Sequence, residues 1–413
     1  MSTSITPRIA IIGAGPGGLT LARILQLHSV PCKVYEADES PTSRPQGGSL
    51  DLHHDTGLLA LKTAGLMEQF RSKARPEGEQ MIVMSKDGKI LMDHGAQEAP
   101  PEGEENLLER PEIDRKDLRN ILLESLDEGR VEWNRKVKSV DVTDAEKGIH
   151  KIIFADGTSV ETDLVVGADG AWSRVRGLLT DAKPKYSGMT YVDLTVSDMD
   201  KRFPELGKAV GDGMLVVVEP EKGLLTQRNS HGVVRIYAVL KVDADWTTSP
   251  SGFPAIAANG PAAIKSFLLS QYSSYTPTLQ SIIQNADDHP ITPRAIWGLP
   301  QYGYTWSPKP GVTLLGDAAH LMPPSGEGVN LAMIDGLELA LQIVKVVENG
   351  GIEERWRGEL FGGLKEYAGK MLPKGEGESQ IADAMFEAFY GPKSPQSFVD
   401  MMTSLVQGVQ IEM

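Results

Sequence analysis

The sequence predicts an α/β protein with a discontinuous Rossmann-like domain, an inserted β-rich domain and C-terminal helices. Three observations support this fold class. From Arg8 to Glu36, an apolar strand, a glycine turn, a helical pattern and a second strand follow one another. Strand-like patterns dominate 185–242. A short apolar strand, Val312–Leu315, then precedes a helical pattern that runs to Glu348, so the chain returns to the first domain after the insert.

The limits of these parts follow the changes of pattern. We assign 1–77, 107–180 and 296–345 to the Rossmann-like domain, 78–106 and 181–295 to a β-sheet domain, and 346–413 to a C-terminal helical segment. In the β-sheet domain, strands are expected near 189–197, 213–219, 223–228 and 232–242, and helices near 261–272 and 277–285.

Smaller signals place further elements. Residues 80–92 alternate around a Lys-Asp-Gly-Lys turn, which indicates a hairpin. A helix is expected from Asp114, with Asp117 completing a variant capping box, and another from Ala171. Beyond Ile352 the chain looks helical, and we expect breaks at its glycines and at its later prolines. Those prolines are Pro373, Pro392 and Pro395.

The glycine turn predicts a dinucleotide site. Its candidate residues are Gly13, Ala14, Gly15, Pro16 and Gly18. Gly13 permits the tight turn, Gly15 allows a pyrophosphate to approach the backbone, and Gly18 lets the helix pack near the sheet. The helix N-terminus offers unpaired N–H groups to the phosphates. Glu36 follows Gly13 by 23 residues (36 minus 13), where a carboxylate can bind a ribose. An ordinary βαβ turn is the alternative, and the motif does not distinguish NAD from FAD.

Composition excludes several classes of partner. The net charge of −15 over 413 residues argues against nucleic acid or an anionic membrane as the main partner. Cys32 is the single cysteine, which excludes intrachain disulfides, a CxxC redox pair and cysteine-based metal sites, and we expect no metal. No run of 18 apolar residues and no apolar signal core is visible. We therefore expect a soluble cytoplasmic protein that does not bind a membrane.

Further motifs accompany the glycine turn in a fixed order. They are Gln46–His53 (QGGSLDLH), Arg110–Arg119 (RPEIDRKDLR), Gly167–Arg176 (GADGAWSRVR) and Gly316–Asn330 (GDAAHLMPPSGEGVN). This set resembles the single-component FAD-dependent monooxygenases of the aromatic-hydroxylase type, over most of 8–345. Within that family it is most similar to the tetracycline-inactivating flavin monooxygenases, whereas 185–295 matches them only loosely. The resemblance implies that the Rossmann-like domain binds FAD and that the β-sheet domain, 78–106 and 181–295, binds the substrate.

The last motif favours a flavin on physical grounds as well. Asp317, at the end of a strand, can accept hydrogen bonds from ribityl hydroxyls, and a surface turn is the alternative role. Gly328, Val329 and Asn330 open the long helix, so their N–H groups would face the flavin edge where negative charge collects on reduction. Pro324, with the proline before it, removes N–H donors beside the flavin and stiffens that wall.

Other residues are candidates for cofactor contacts. We expect Arg115 to reach the FAD phosphates or ribose as a fork donor; the alternative is an exposed arginine paired with a neighbouring carboxylate. The resemblance implies that Asp51 touches FAD and that Arg44 contacts NADPH, although an arginine in a polar loop can simply be solvated. Asp169 lies in a motif that serves FAD and pyridine nucleotides in the family, and a purely structural turn is the alternative.

One residue departs from the family pattern. Glu327 stands where the family usually has glutamine. Since a carboxylate beside an anionic reduced flavin would be a like-charge contact, we expect Glu327 to point away or to be neutralised. His320 is expected to pack within its loop, without a catalytic role.

The resemblance implies an oxygenating reaction in which the flavin carries the chemistry. NADPH (or NADH) would reduce FAD, and O₂ would form a flavin C4a-hydroperoxide that oxygenates an aromatic or polycyclic substrate, polyketide-like or tetracycline-like. No catalytic side chain is assigned. Gln227, Arg235 and Tyr237 are substrate candidates, with ordinary sheet-surface roles as the alternative. Phe386 and Phe389 are expected to pack between C-terminal helices, although closing the pocket is an alternative.

Two other functions share the same cofactor motifs. One is an FAD-dependent reductase or dehydrogenase that transfers no oxygen. The other is a flavin-binding regulatory or scaffold protein without turnover. The second glycine fingerprint of two-dinucleotide-domain enzymes is absent from the sequence, so NAD(P)H would bind transiently.

Overall fold

The computed structural model describes residues 7–43, 47–94, 110–288, 291–349 and 353–406. Arg44 and the acidic loop 95–105 lie outside the described residues. No helix in the described ranges combines the length and apolarity that a bilayer crossing requires.

The strands and helices of the described residues run as follows. The strands are β1 (Ile9–Ile12), β2 (Lys33–Tyr35), β3 (Ser49–Asp51), β4 (Met81–Met84), β5 (Ile90–His94), β6 (Glu112–Asp114), β7 (Val131–Glu132), β8 (Val137–Asp144), β9 (Ile149–Phe154), β10 (Ser159–Thr162), β11 (Leu164–Gly167), β12 (Lys185–Val196), β13 (Met214–Glu219), β14 (Lys222–Arg228), β15 (Val234–Lys241), β16 (Thr292–Gly298) and β17 (Val312–Leu314). The α-helices are α1 (Pro16–Leu27), α2 (Leu59–Thr63), α3 (Met67–Arg71), α4 (Arg115–Glu124), α5 (Met199–Arg202), α6 (Pro204–Val210), α7 (Phe253–Ala257), α8 (Pro261–Gln271), α9 (Pro277–Gln284), α10 (Asp317–His320), α11 (Gly328–Asn349), α12 (Glu353–Tyr390) and α13 (Gln396–Val406).

A parallel sheet forms the centre of the Rossmann-like part. Its strand order is β17-β11-β1-β2-β7, and every pairing in it is parallel. β1 and β11 are buried along their whole length, as expected of central strands covered on both faces. The helices α1 and α11 pack against each other beside this sheet. The Rossmann-like part of the α/β prediction is therefore confirmed.

A second, mixed sheet carries the β-rich part. Its order is β16-β12-β15-β14-β13-β4-β5, with the pairing of β13 and β4 parallel and the others antiparallel. One face packs on α8 and α9 through a separate apolar core. The predicted strands, the two helices and the hairpin after residue 80 are all present, with ends shifted by a few residues. The predicted domain limits stay a prediction.

Two small sheets complete the architecture. The pair β3 and β6 is antiparallel and lies between the two larger sheets, because Ser49 of β3 bonds to Gln227 of β14. The sheet β10-β9-β8 is an antiparallel meander beside β11.

The prediction that Pro373 breaks the C-terminal helices is wrong. Pro373 lies inside α12, which continues from Glu353 to Tyr390. Buried residues stand on both sides of it, with Tyr367 and Met371 before and Ala382 after, so tertiary packing holds the helix through the proline. The break expected around Pro392 and Pro395 is confirmed, since it separates α12 from α13.

One helix start and one helix cap also differ from the prediction. No α-helix begins at Ala171: a 3₁₀-helix, Arg176–Leu178, is all that forms, because Asp169 and Ser173 bind the N–H groups that a helix would use. α4 starts after Asp114 as expected, but no capping box forms there. The Asp114 carboxylate accepts hydrogen bonds from distant residues instead.

We predict that Gly13→Ala destabilises the fold more than Gly65→Ala does. Both glycines have positive φ, +112° at Gly13 and +71° at Gly65. A Cβ on Gly13 would also overlap the carbonyl of Ala168, whereas a Cβ on Gly65 meets nothing within 4 Å. The free energy of unfolding should fall by about 1 kcal/mol for Gly65→Ala and by more than about 2 kcal/mol for Gly13→Ala. Urea denaturation of the two variants checks this; equal losses would contradict the close approach of β1 and β11.

Candidate active site

In the glycine turn, Gly15 has open space beside it, whereas Gly13 and Gly18 have no room for a side chain. The Gly13 N–H donates to the carbonyl of Tyr35 at 2.9 Å, which closes the turn onto β2. A Cβ on Gly13 or Gly18 would overlap neighbouring backbone, whereas a Cβ on Gly15 would meet nothing within 4 Å. Since Gly15 precedes α1, this space lies at the helix N-terminus, where N–H groups are unpaired.

Glu36 lies directly at this turn. One of its carboxylate oxygens accepts the Ala14 N–H at 2.6 Å and the other accepts the Asp38 N–H at 2.9 Å. Sequence reasoning missed its neighbour Arg119, which is buried and donates from Nε to the Ala14 carbonyl at 3.0 Å. Arg119 could have been predicted from the sequence, because it lies four residues after Arg115 and therefore shares one face of α4 with it.

The Asp169 turn is tied to the Asp317 turn by a second arginine that the sequence reasoning missed. Buried Arg176 donates to the carbonyls of Ala318, Asp317 and Ala171, each at 2.8 Å. One oxygen of Asp169 accepts the N–H of residue 174 at 2.7 Å, while Oδ1 is buried and has no hydrogen-bond partner in the described residues. Burial raises the pKa of Asp169.

A buried aspartate shapes the turn that carries Asp317. The Asp335 carboxylate of α11 accepts the Gly316 N–H at 2.9 Å and His320 Nε2 at 2.6 Å. Burial lowers the pKa of His320, but the Asp335 carboxylate outweighs it and the net shift is upward. His320 thus packs in its loop, as expected, and the Asp317 side chain is left exposed at the start of α10.

Asn330 fixes the first turn of α11 against β3. Its buried side chain donates from Nδ2 to the Asp51 carbonyl and accepts the His53 N–H, both at 3.0 Å. The Leu331 N–H donates to the Glu327 carbonyl, whereas those of Gly328, Val329 and Asn330 find no acceptor in the described ranges. The helix therefore presents free donors at this end. Pro324 is exposed in the loop before it.

Glu327 pairs with His53, which agrees with the expectation that its charge is compensated. His53 Nδ1 lies 3.1 Å from a Glu327 oxygen, and His53 Nε2 lies 2.9 Å from an Asp51 oxygen. Burial lowers the pKa of His53, but hydrogen bonds to both carboxylates outweigh it and raise the pKa to about 9. Below pH 6.5 this ion-pair contribution to stability is fully present, and it is lost as the pH rises through about 9.

Arg115 is not an exposed, paired helix arginine. Its guanidinium lies against Gly47, where a Cβ would be 3.3 Å from Arg115 Nε. Burial lowers its pKa, and the negative charge of Asp317 opposes that shift. Asp114 and Glu112, the carboxylates that could have paired with it, contact Arg75 instead.

The three substrate candidates meet above Gly48. A Cβ on Gly48 would overlap Gln227 Oε1, approach the Tyr237 hydroxyl and lie 3.4 Å from Arg235 Cδ. Gln227 is largely occupied, because its amide pairs with the main chain of Ser49 at 3.0 and 3.1 Å. Arg235 has a buried Nε without a partner in the described residues, so it is the freer donor.

The same sheet face is rich in arginine and tyrosine. Asp193 bonds to Arg294 and lies 3.7 Å from Arg235, and burial raises its pKa. Tyr191 packs beside Tyr237 at a ring-centroid distance of 6.0 Å. Phe386 packs edge-on against Tyr390, and Phe389 packs beside Tyr390 and stacks on Phe398, which supports the packing role that was expected of them. Two open cavities of about 310 and 260 Å³ are lined by neither this face nor the glycine turn.

Comparison with known proteins decides the family. A family profile described as "FAD binding domain" matches residues 6–257 and 270–355. The monooxygenase asqM of Emericella nidulans is 34% identical over 385 residues, covering 82% of this chain and 84% of that protein. The chain belongs to the FAD-dependent monooxygenases.

Other relatives of this monooxygenase agree. Monooxygenase penA of Penicillium thymicola is 32% identical, covering 81% of this chain and 84% of that protein. The crystal structure of Klebsiella pneumoniae HpxO with FAD and uric acid matches with a TM-score of 0.74 at 19% identity, covering 99% of this chain and 95% of the other. Tetracycline destructase Tet(51) matches with a TM-score of 0.68 at 17% identity, covering 98% and 96%. At such identities the structural likeness shows the fold.

The residues of this monooxygenase fit FAD. Open space at Gly15 meets the helix N-terminus that a pyrophosphate requires. The orphaned oxygen of Asp169 and the free N–H groups at the start of α11 offer polar atoms without protein partners. A dinucleotide that spans these points would satisfy them.

Asn330→Leu should destabilise the enzyme by about 2–6 kcal/mol, because it leaves the buried His53 N–H and the Asp51 carbonyl without partners. The free energy of unfolding without cofactor, measured by urea denaturation, checks this. Asn259→Leu is the matched control, since exposed Asn259 makes one hydrogen bond within its own turn and should change stability little. A loss at Asn330 no larger than that at Asn259 would contradict the bridging role.

Proposed function

We propose that this monooxygenase uses NADPH or NADH and O₂ to oxygenate an aromatic or polycyclic molecule of phenolic or polyketide type. The observation that carries the proposal is the start of α11. Free N–H groups there belong to the helix whose Ala332 packs against Gly17 of the glycine turn and against Gly316, the residue before Asp317. Arg115 lies close enough to Asp317 for their charges to interact. This is the arrangement that a bound flavin dinucleotide would need.

In this proposal the dinucleotide extends from the glycine turn to α11. Its pyrophosphate lies over Gly15 at the N-terminus of α1, and its ribose meets Glu36. The other residues proposed to hold FAD are Gly13, Ala14, Pro16, Gly18, Asp51, Arg115, Asp169, Asp317, Pro324, Gly328, Val329 and Asn330. Bound FAD supplies the redox chemistry: it accepts two electrons and activates O₂ so that one oxygen atom passes to the substrate.

The protein's contribution is electrostatic and steric. The free N–H groups and the positive end of α11 stabilise negative charge on the bound flavin. Pro323 is buried beside Gly298, where its ring lies 3.3 Å from the position of an added Cβ. Since neither proline has an N–H, the pair donates no hydrogen bond to water or to the flavin, and it keeps the loop before α11 rigid.

The substrate is proposed to bind between the flavin and the face around Gly48. Arg235 and Tyr237 would contact it, while Gln227 would act mainly by holding Ser49. A face with arginines and tyrosines suits phenolic and enolic oxygens. The names of related proteins support aromatic chemistry: one is a 3-amino-4-hydroxybenzoate 2-monooxygenase, and one structural neighbour is a tetracycline destructase.

The electron donor is proposed to dock transiently. The sequence carries one glycine fingerprint, and we assign it to FAD. NAD(P)H would then approach beside Asp169 and the exposed Trp172, next to the flavin. The proposed NADPH contact of Arg44 lies outside the described residues.

Asp317→Ala should strip the purified protein of its yellow cofactor, because the exposed carboxylate that would bind the ribityl chain is lost. FAD per polypeptide, measured from the absorbance of the released flavin, checks this. We expect at least a tenfold loss of affinity, which corresponds to about 1.4 kcal/mol. Asp156→Ala, an exposed aspartate in a distant hairpin, should keep full FAD content. Full retention by Asp317→Ala would contradict the placement of the flavin.

Substrate-stimulated NAD(P)H oxidation should be accompanied by transfer of one atom from O₂ to the product. Incubation with ¹⁸O₂ and a library of phenolic and polyketide compounds, followed by mass spectrometry, checks this. A product that gains one ¹⁸O supports the monooxygenase. NAD(P)H oxidation with a reduced, unlabelled product would indicate a reductase, and a flavin that stays oxidised throughout would indicate a non-catalytic protein.

A further inference from the structure

The Asp51–His53–Glu327 cluster joins β3 to the loop that leads into α11. The imidazole of His53 stands between the two carboxylates, 2.9 Å from Asp51 and 3.1 Å from Glu327. All three side chains are largely buried, with 16% of His53, 27% of Asp51 and 22% of Glu327 exposed. A Cβ on Gly326 would lie 3.7 Å from an Asp51 oxygen, so the loop passes close over this cluster.

The two carboxylates favour a charged His53. An ionised carboxylate can only accept hydrogen bonds, so a ring nitrogen that bonds to one carries a hydrogen. Nε2 lies 2.9 Å from Asp51 and Nδ1 lies 3.1 Å from Glu327, so the imidazolium, with a hydrogen on both nitrogens, is stabilised here. The His53 main chain is held by Asn330 in the first turn of α11.

Glu327 immediately precedes α11, where its charge acts on the helix end. The positive partial charge of a helix N-terminus falls off within one turn, so a bare carboxylate there would cancel much of it. Other charged groups near the cluster come from α12 and α10. Glu378 interacts with Glu327 and His53, with Lys374 and His320 nearby, and burial raises its pKa.

We propose that His53 is a positioning residue that compensates the charge of Glu327 and so keeps the N-terminus of α11 available to anionic reduced flavin. The inference rests on the proposed function, which places the flavin at this helix end. His53 acts through Glu327 and is not assigned a contact with the flavin. The cluster of Asp51, His53 and Glu327 then carries one net negative charge, and it would carry two if His53 were neutral.

Four proteins that differ in the net charge of the cluster test this proposal: wild type, His53→Gln, Glu327→Gln and the double variant. The cluster has a net charge of −1 in wild type, −2 in His53→Gln, 0 in Glu327→Gln and −1 again in the double variant. The readout is the affinity for reduced FAD relative to oxidised FAD, measured as the midpoint potential of the bound cofactor. We expect His53→Gln to lower this ratio about tenfold, or about 30 mV for a two-electron couple.

Glu327→Gln should shift the potential in the opposite direction, and the double variant should return close to wild type. His54→Gln is the matched control, because exposed His54 pairs with Asp55, outside the cluster, and its loss should leave the potential unchanged. In wild type the potential should also fall as the pH rises through about 9, where His53 loses its proton, and this step should be missing in His53→Gln.

An unchanged potential in His53→Gln, or a double variant as low as His53→Gln, would overturn the inference. FAD content and thermal unfolding of each variant separate a loss of charge from a loss of folding. If His53→Gln does not fold, Glu327→Gln and its pH profile decide alone, because the midpoint potential of Glu327→Gln must lie above that of wild type. A colourless wild-type protein would instead refute the proposed function.

Discussion

The buried side chain of Asn330 is the contact on which the arrangement of the site depends. It bonds to the Asp51 carbonyl of β3 and to the His53 N–H just after that strand, across 277 residues of sequence at His53. Because these hydrogen bonds are buried, losing them would leave unpaired polar groups in the protein interior. The contact therefore fixes the position of the first turn of α11 and, with it, the position of the free N–H groups of that turn. The electrostatic role that we propose for the helix depends on this rigidity.

A second set of contacts joins β3 to the mixed sheet. Ser49 of this strand pairs through its main chain with the amide of Gln227. Gly48, one residue earlier, has no room for a side chain because Gln227 and Tyr237 occupy that space. The strand that carries Asp51 is thus also the strand that meets the face on which we propose that the substrate binds. This geometry places the residues proposed for the cofactor and those proposed for the substrate next to each other.

The sequence predicted what local chemistry determines. Close backbone approach requires glycine at positions 13 and 18, and the start of α11 follows from the helical pattern, so these features could be predicted from the sequence. The role of Asp317 in holding a flavin stays a prediction. Long-range packing could not be predicted in this way. Buried Arg119 and Arg176 act on carbonyls distant in sequence, Pro373 is held in a helix by its surroundings, and the expected helix from Ala171 is replaced by side-chain bonds from Asp169 and Ser173. The need to neutralise Glu327 was predictable from its charge, but its partner His53 was not, since nothing local relates the two residues.

The most direct test of the proposed flavin position is a crystal structure of the enzyme with FAD bound. We expect the N1–C2=O edge of the isoalloxazine ring within hydrogen-bond distance of the Val329 and Asn330 N–H groups, with the ribityl chain at Asp317. A flavin ring bound elsewhere, with these N–H groups turned to solvent or covered by protein, would contradict the proposed position.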